Sequence, residues 1–102
     1  MQYTVEYKPY FRKCLTEVEG YITDEIGNPR SAEMIVGSII KYCRMLKIFP
    51  KGNPVFLKKR GKELRLMHIR SYTVVFFVDD ERGVVSVEAL YYSRRDVEGL
   101  LR

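Results

Sequence analysis

The chain has 102 residues but only one histidine, His68, and two cysteines, Cys14 and Cys43. That scarcity excludes a structural zinc site. The cysteines lie far apart, neither belongs to a CxxC pair, and a single histidine cannot complete a set of four ligands. Each cysteine falls inside a helical pattern, so buried free thiols are expected. No apolar run approaches the roughly 18 to 20 residues that cross a bilayer, and the opening "MQYTVEYK" lacks the apolar segment of a secretory signal. A cytoplasmic protein is expected, with no membrane partner, no metal and no cofactor. Repeats, low-complexity tracts and internal linkers are also missing, so residues 1–102 are read as a single domain.

Acidic residues are scarce in one stretch. From Lys41 to Arg70 there are ten basic residues (Lys41, Arg44, Lys47, Lys51, Lys58, Lys59, Arg60, Lys62, Arg65 and Arg70), against Glu63 as the only acid. This stretch carries a net +9, more than the +5 of the whole chain, so the remaining residues are net acidic. Such a stripe attracts phosphate backbones or an acidic protein, and charge alone does not choose between them.

What is present is a clear order of elements. "YTVEY", Tyr3 to Tyr7, alternates as a short strand. Phe11, Cys14, Leu15, Val18, Ile22 and Ile26 recur on one face of a helix over about 9–26, and Ala32, Ile35, Val36, Ile39, Ile40, Cys43 and Leu46 do so over about 29–48. Between them stands "GNPRSA". Gly27 can take the left-handed conformation that ends a helix, Asn28 can cap the next, and Pro29 suits its first turn. Two helices joined so tightly must run antiparallel and turn their apolar faces toward a common third surface.

That surface is supplied by "ELRLMHI", "YTVVFFV" and "VVSVEALYY", three runs rich in β-branched and aromatic residues, separated by spacings suited to antiparallel hairpins. The middle run is apolar on both faces and is placed centrally. Lys51 to Lys62 reads as a polar, basic connection, and "RRDVEGLLR" as a short tail with one turn of helix. The fold class is α+β, in the order β-α-α-β-β-β, with the helical hairpin packed on a small, curved, mainly antiparallel sheet. Leu66, Val74 and Leu90 are expected on a face that two helices leave incompletely covered.

In this order, "YITDEIGNPRSAEMIVGSIIKYCRMLKIFPKG", "ELRLMHIRSYTVVFFVDD" with Arg65 and Tyr72, and "LYYSRRD" together resemble the RelE/ParE superfamily of type II toxin-antitoxin toxins. That superfamily includes plasmid stabilisation proteins, and the Arg-Arg-Asp turn is similar to its ParE branch. The resemblance implies a toxin that arrests bacterial growth and is neutralised by a cognate antitoxin, with which it forms an oligomer. It implies DNA gyrase as the target in the ParE case. In the RelE case it implies ribosome-dependent cleavage of messenger RNA.

Against the RelE pattern, Thr73 follows Tyr72 where the nucleases carry arginine, and Leu101 stands near the position of their C-terminal tyrosine. Arg95, beside Arg94, matches their turn arginine. The His-Tyr ending of YoeB-like nucleases is absent, and Tyr92 replaces the histidine of many ParE-like chains. Cleavage by a 2′-hydroxyl needs a proton acceptor, a proton donor and cations at the phosphate. On the nuclease reading Arg65, His68, Glu88, Tyr92, Arg94 and Arg95 are the catalytic candidates. On either reading Lys58, Lys59, Arg60, Lys62, Arg65, Arg94 and Arg95 are the candidates for target or antitoxin binding. A degenerate toxin that only binds antitoxin is the bland reading.

Overall fold

The structure, a computed structural model, describes residues 2–93 and Gly99. Strand β1 (Thr4–Tyr7) leads into helix α1 (Pro9–Gly20), which passes into a π-helical turn, Tyr21–Glu25. Helix α2 (Pro29–Met45) comes next, then a 3₁₀ turn, Pro50–Gly52, and strands β2 (Val55–Lys59), β3 (Lys62–Ile69), β4 (Tyr72–Asp79) and β5 (Val84–Tyr92).

The elbow forms as its residues dictate. Gly27 adopts φ 76°, which carries little strain without a Cβ. The Asn28 side chain accepts a hydrogen bond from the Ser31 amide at 3.0 Å, with Pro29 opening the helix. The end of the first helix departs from the regular pattern. Ile26 donates its amide to the Tyr21 carbonyl, five residues back. One extra residue in a turn rotates the succeeding side chains by about 100° around the helix axis. Ile26 is thereby taken off the apolar stripe and left 60% exposed, a correction to its expected place in the core.

The sheet has five strands in the order β1-β5-β4-β3-β2, with β1 parallel to β5 and the other pairs antiparallel. The helical hairpin thus carries the chain from one sheet edge to the other. The middle run, β4, is central as expected. Strand β2 corrects the reading of Lys51 to Lys62 as mere connection. Its alternation was hidden by a bulge between Val55 and Leu57 and by the Lys58-Lys59-Arg60 charge run. Lysines are common on an edge strand, where they discourage further pairing.

Two apolar clusters flank the sheet. Under the helices, Phe11, Cys14, Ile39, Cys43 and Leu46 meet Met67, Ile69, Val74, Phe76, Val85, Val87 and Leu90. Both cysteines are free and buried, and burial pushes the Cys43 thiol up to about 12. On the opposite face Leu64, Leu66, Val75 and Ala89 pack with Phe56, Leu57, Phe77 and Tyr91. Leu66, Val74 and Leu90 are all buried, contrary to expectation. Val74 and Leu90 belong to the helix-facing cluster, because alternation along β4 and β5 points them there. The expected helical turn after Tyr92, together with Arg94, Arg95 and Leu101, lies outside the described residues.

Candidate binding surface

The β2–β3 hairpin gathers four of the predicted basic residues. Arg60 and Gly61 form its two-residue loop with φ 53° and 78°, the left-handed pair that suits the twist of a hairpin. Lys59 stands opposite Lys62, and Lys58 opposite Glu63. The Lys62 ammonium lies 4.6 Å from the centre of the Phe77 ring, a cation–π geometry that places its charge over the second apolar cluster. Lys58, Lys59, Arg60 and Lys62 are exposed and form one basic tip.

The rest of the basic stripe is divided. Arg70 sits in the hairpin loop at the other end of β3, an eight-residue strand, or about 25 Å away at strand rise. Lys51 is paired: its ammonium lies 2.7 Å from Asp80, which also accepts the Tyr3 hydroxyl at 2.8 Å. These bonds hold the Asp80 carboxyl below the usual carboxylate range and raise Tyr3 and Lys51. Arg65 turns inward and donates to the Asn53 carbonyl at 2.6 Å and more weakly to that of Lys51 at 3.4 Å. It fixes the loop before β2, and its guanidinium is already committed.

The nuclease candidates are only partly brought together. His68 Nδ1 is 2.8 Å from the hydroxyl of Thr73, its cross-strand neighbour, which is buried. These two share a cavity of about 310 Å³ with Arg70, Ser71, Tyr92 and Ser93. Tyr92 is held edge-on to Tyr72, with ring centres 5.5 Å apart and planes at 82°. Arg65 faces the other side of β3 from His68. Glu88, at the β5 bulge, accepts the Ser86 hydroxyl and stands three residues, about 10 Å, from Tyr91 beside Thr73. Among the described residues no three His, Cys, Asp or Glu side chains could hold a metal ion.

Two further surfaces escaped the sequence reading. On α2 and the turn that follows it, Met34, Met45 and Ile48 are exposed beside Arg30, Lys41, Arg44 and Lys47, lining clefts of about 520 and 530 Å³. Along α1, Tyr10, Cys14, Glu17, Val18 and Tyr21 share one helical face and form a groove of about 600 Å³ with Ile26, Tyr72, Leu90, Tyr91 and Tyr92. Within it Tyr10 hydrogen-bonds Tyr91, and this pairing pushes the Tyr10 phenol up to about 12. The spacing of Tyr10, Glu17 and Tyr21 with Cys14 was visible in the sequence. What it faced was not.

Solved structures with the same fold include toxin-antitoxin proteins. A chain of the chromosomal ParDE system of Pseudomonas aeruginosa superposes with TM-score 0.74 at 12% identity, covering 91% of this chain and 98% of its own. One of the RelBE2 toxin-antitoxin complex of Mycobacterium tuberculosis gives 0.68 at 15%, covering 90% and 99%. One of the archaeal RelE-RelB complex of Pyrococcus horikoshii gives 0.65 at 18%, covering 93% and 99%. No curated protein sequence matches the chain. The model of the ParE toxin family of type II toxin-antitoxin systems matches residues 5–97. With nearly the whole chain inside that match, the protein belongs to the ParE family and is a toxin of a type II toxin-antitoxin system.

Proposed function

We propose that this toxin arrests growth by binding and inhibiting DNA gyrase, without cutting nucleic acid itself, and that a cognate antitoxin neutralises it in the cytoplasm. The observation that carries this reading is the dispersal of the catalytic candidates among the described residues. Arg65 is bound to backbone carbonyls, Glu88 to Ser86, and the position after Tyr72 is a buried Thr73 in place of an arginine. Phosphodiester cleavage needs acceptor, donor and cation around one phosphate. The exposed basic tip Lys58–Lys62 is suited instead to an acidic protein or nucleoprotein surface.

An antitoxin partner is supported by the similar solved structures, which come from ParDE and RelBE systems. An acidic segment with apolar anchors suits the exposed methionines and cations of α2. The competing reading, ribosome-dependent cleavage of messenger RNA, draws on the cavity where His68, Arg70 and Tyr92 meet. One experiment separates them. Purified toxin is added to a gyrase supercoiling assay and, in parallel, to a translating extract. Loss of supercoiling with intact message supports gyrase inhibition. Message cut within codons while supercoiling proceeds overturns it, and growth unaffected by high soluble expression would leave only antitoxin binding.

A further inference from the structure

We infer that the tyrosine groove between α1, the π-helical turn and the end of β5 is a docking site for a partner peptide bearing an arginine between apolar residues. The groove is an exposed aromatic surface with one charge. Tyr10, Tyr21, Ile26 and Tyr92 line it and are all more than half exposed, yet they converge on one concavity of about 600 Å³. The π-helical turn contributes to this convergence, because the extra residue that removes Ile26 from the core delivers it to the groove rim. Strand β5 contributes too: β1 pairs with it only as far as Val87, so its last residues carry Tyr91 and Tyr92 to α1 without a strand on that side.

The charge decides the occupant. Glu17 is the only ionisable acid or base in the lining apart from the tyrosines and Cys14, and among the described residues it forms no ion pair. The protein carries +5 overall, and the two clefts along α2 are basic, one with Lys41, Arg44 and Lys47 and one with Arg30 and Lys41 beside Glu33. This groove is the exception. A lone carboxylate in a groove lined by tyrosines attracts a cation, and tyrosine faces attract one independently. A guanidinium suits both, because its plane stacks on a ring while its edge pairs with a carboxylate. The apolar residues flanking it would rest on Ile26, Val18 and Leu90. This site differs in charge and place from the basic surfaces offered to an acidic antitoxin, and it stands whether or not gyrase is the target.

The test uses the full chain, isotope-labelled, with the blocked hexapeptide Ac-Ala-Leu-Arg-Phe-Ala-Ala-amide. Two counterparts replace its arginine with citrulline, which keeps the shape without the charge, or with glutamate. The arginine peptide should shift the amide signals of Tyr10, Glu17, Tyr21 and Tyr92, and the citrulline peptide should bind about fivefold more weakly. Glu17→Gln should weaken the arginine peptide to a similar extent and leave the citrulline peptide unchanged, the signature of direct coupling. Equal binding by arginine and citrulline peptides would overturn the proposal, as would no binding at millimolar peptide. Tighter binding by the glutamate peptide would assign the groove to an acidic partner. The same shifts appearing on concentrating the chain alone would assign it to a second copy. None of these readouts involves gyrase, so their failure leaves the target assignment untouched.

Discussion

The two faces of the sheet are built from similar strands but serve different ends. The helix-covered face is continuous and apolar, with Phe76, Val74, Val85 and Val87 packed against Phe11, Ile39 and Cys43. The cluster on the opposite face has four buried apolar side chains among the described residues, rimmed by the His68–Thr73 and Ser86–Glu88 hydrogen bonds and the Lys62 ammonium. Stability is concentrated where helices exclude water. Chemistry-bearing residues collect where they do not, and the surfaces that a toxin offers its partners can therefore vary without unmaking the core.

The largest test of that contrast is a pair of core truncations. Phe76→Ala removes a fully buried ring from the covered face and should cost about 3–5 kcal/mol, whereas Leu66→Ala on the opposite face should cost about 2 kcal/mol. Urea unfolding monitored by circular dichroism measures both. Equal losses would mean that the smaller cluster is as well packed as the larger, and the division of labour would fail.

A second test works at the rim, where stability and function should move in opposite directions. Lys59 faces Lys62 directly across the β2–β3 pair, and like charges so placed are destabilising. Lys59→Glu replaces that repulsion with an attraction and should stabilise the fold by about 0.5 kcal/mol. Growth arrest should nevertheless weaken, because the basic tip is proposed to meet the target. A variant that is more stable and fully toxic would remove this tip from the binding surface.

How much of this was legible in the sequence depended on the range of the interactions. Gly27, Asn28 and Pro29 act on their own backbone or within one turn, so the elbow could be read directly. The three later strands were legible because β-branched runs and short loops are local signals. Arg65 was not, since a basic strand residue reads as a surface charge until the loop carbonyl of Asn53 comes within hydrogen-bond distance. Strand β2 is short, bulged and crowded with charge, and it is recognisable only by its pairing with β3. Leu66, Val74 and Leu90 could be assigned to strands, but their burial depended on what the rest of the chain laid against each face. The tyrosine groove joins residues from the first helix and the last strand, a contact that no local pattern announces.

The smallest effect is expected where the two edges of the covered face are tied at the surface. Asp80, in the β4–β5 turn, accepts from Lys51 beside the 3₁₀ turn and from Tyr3 before β1. Its carboxyl is held below its ordinary value of 3.8, chiefly by the Lys51 hydrogen bond and then by that of Tyr3. A carboxylate whose folded-state pKa is depressed contributes stability that is fully present above the unfolded value, and that is lost as pH falls through the folded one. The loss therefore belongs to the window from just above pH 4 downward, and not to neutral pH. Because the Asp80 and Lys51 side chains are both exposed, water screens the pair and the contribution is small. Asp80→Asn should leave the fold intact and flatten the acid limb of the stability curve, and the difference between the two proteins should shrink toward zero at the acid end. The measurement is urea unfolding at closely spaced pH values between 2 and 7, repeated in high salt, which should reduce the difference. Parallel acid limbs for parent and variant would show that Asp80 is an ordinary solvated carboxylate, leaving the Tyr3 amide bonded to the Lys47 carbonyl at 2.8 Å to hold that corner.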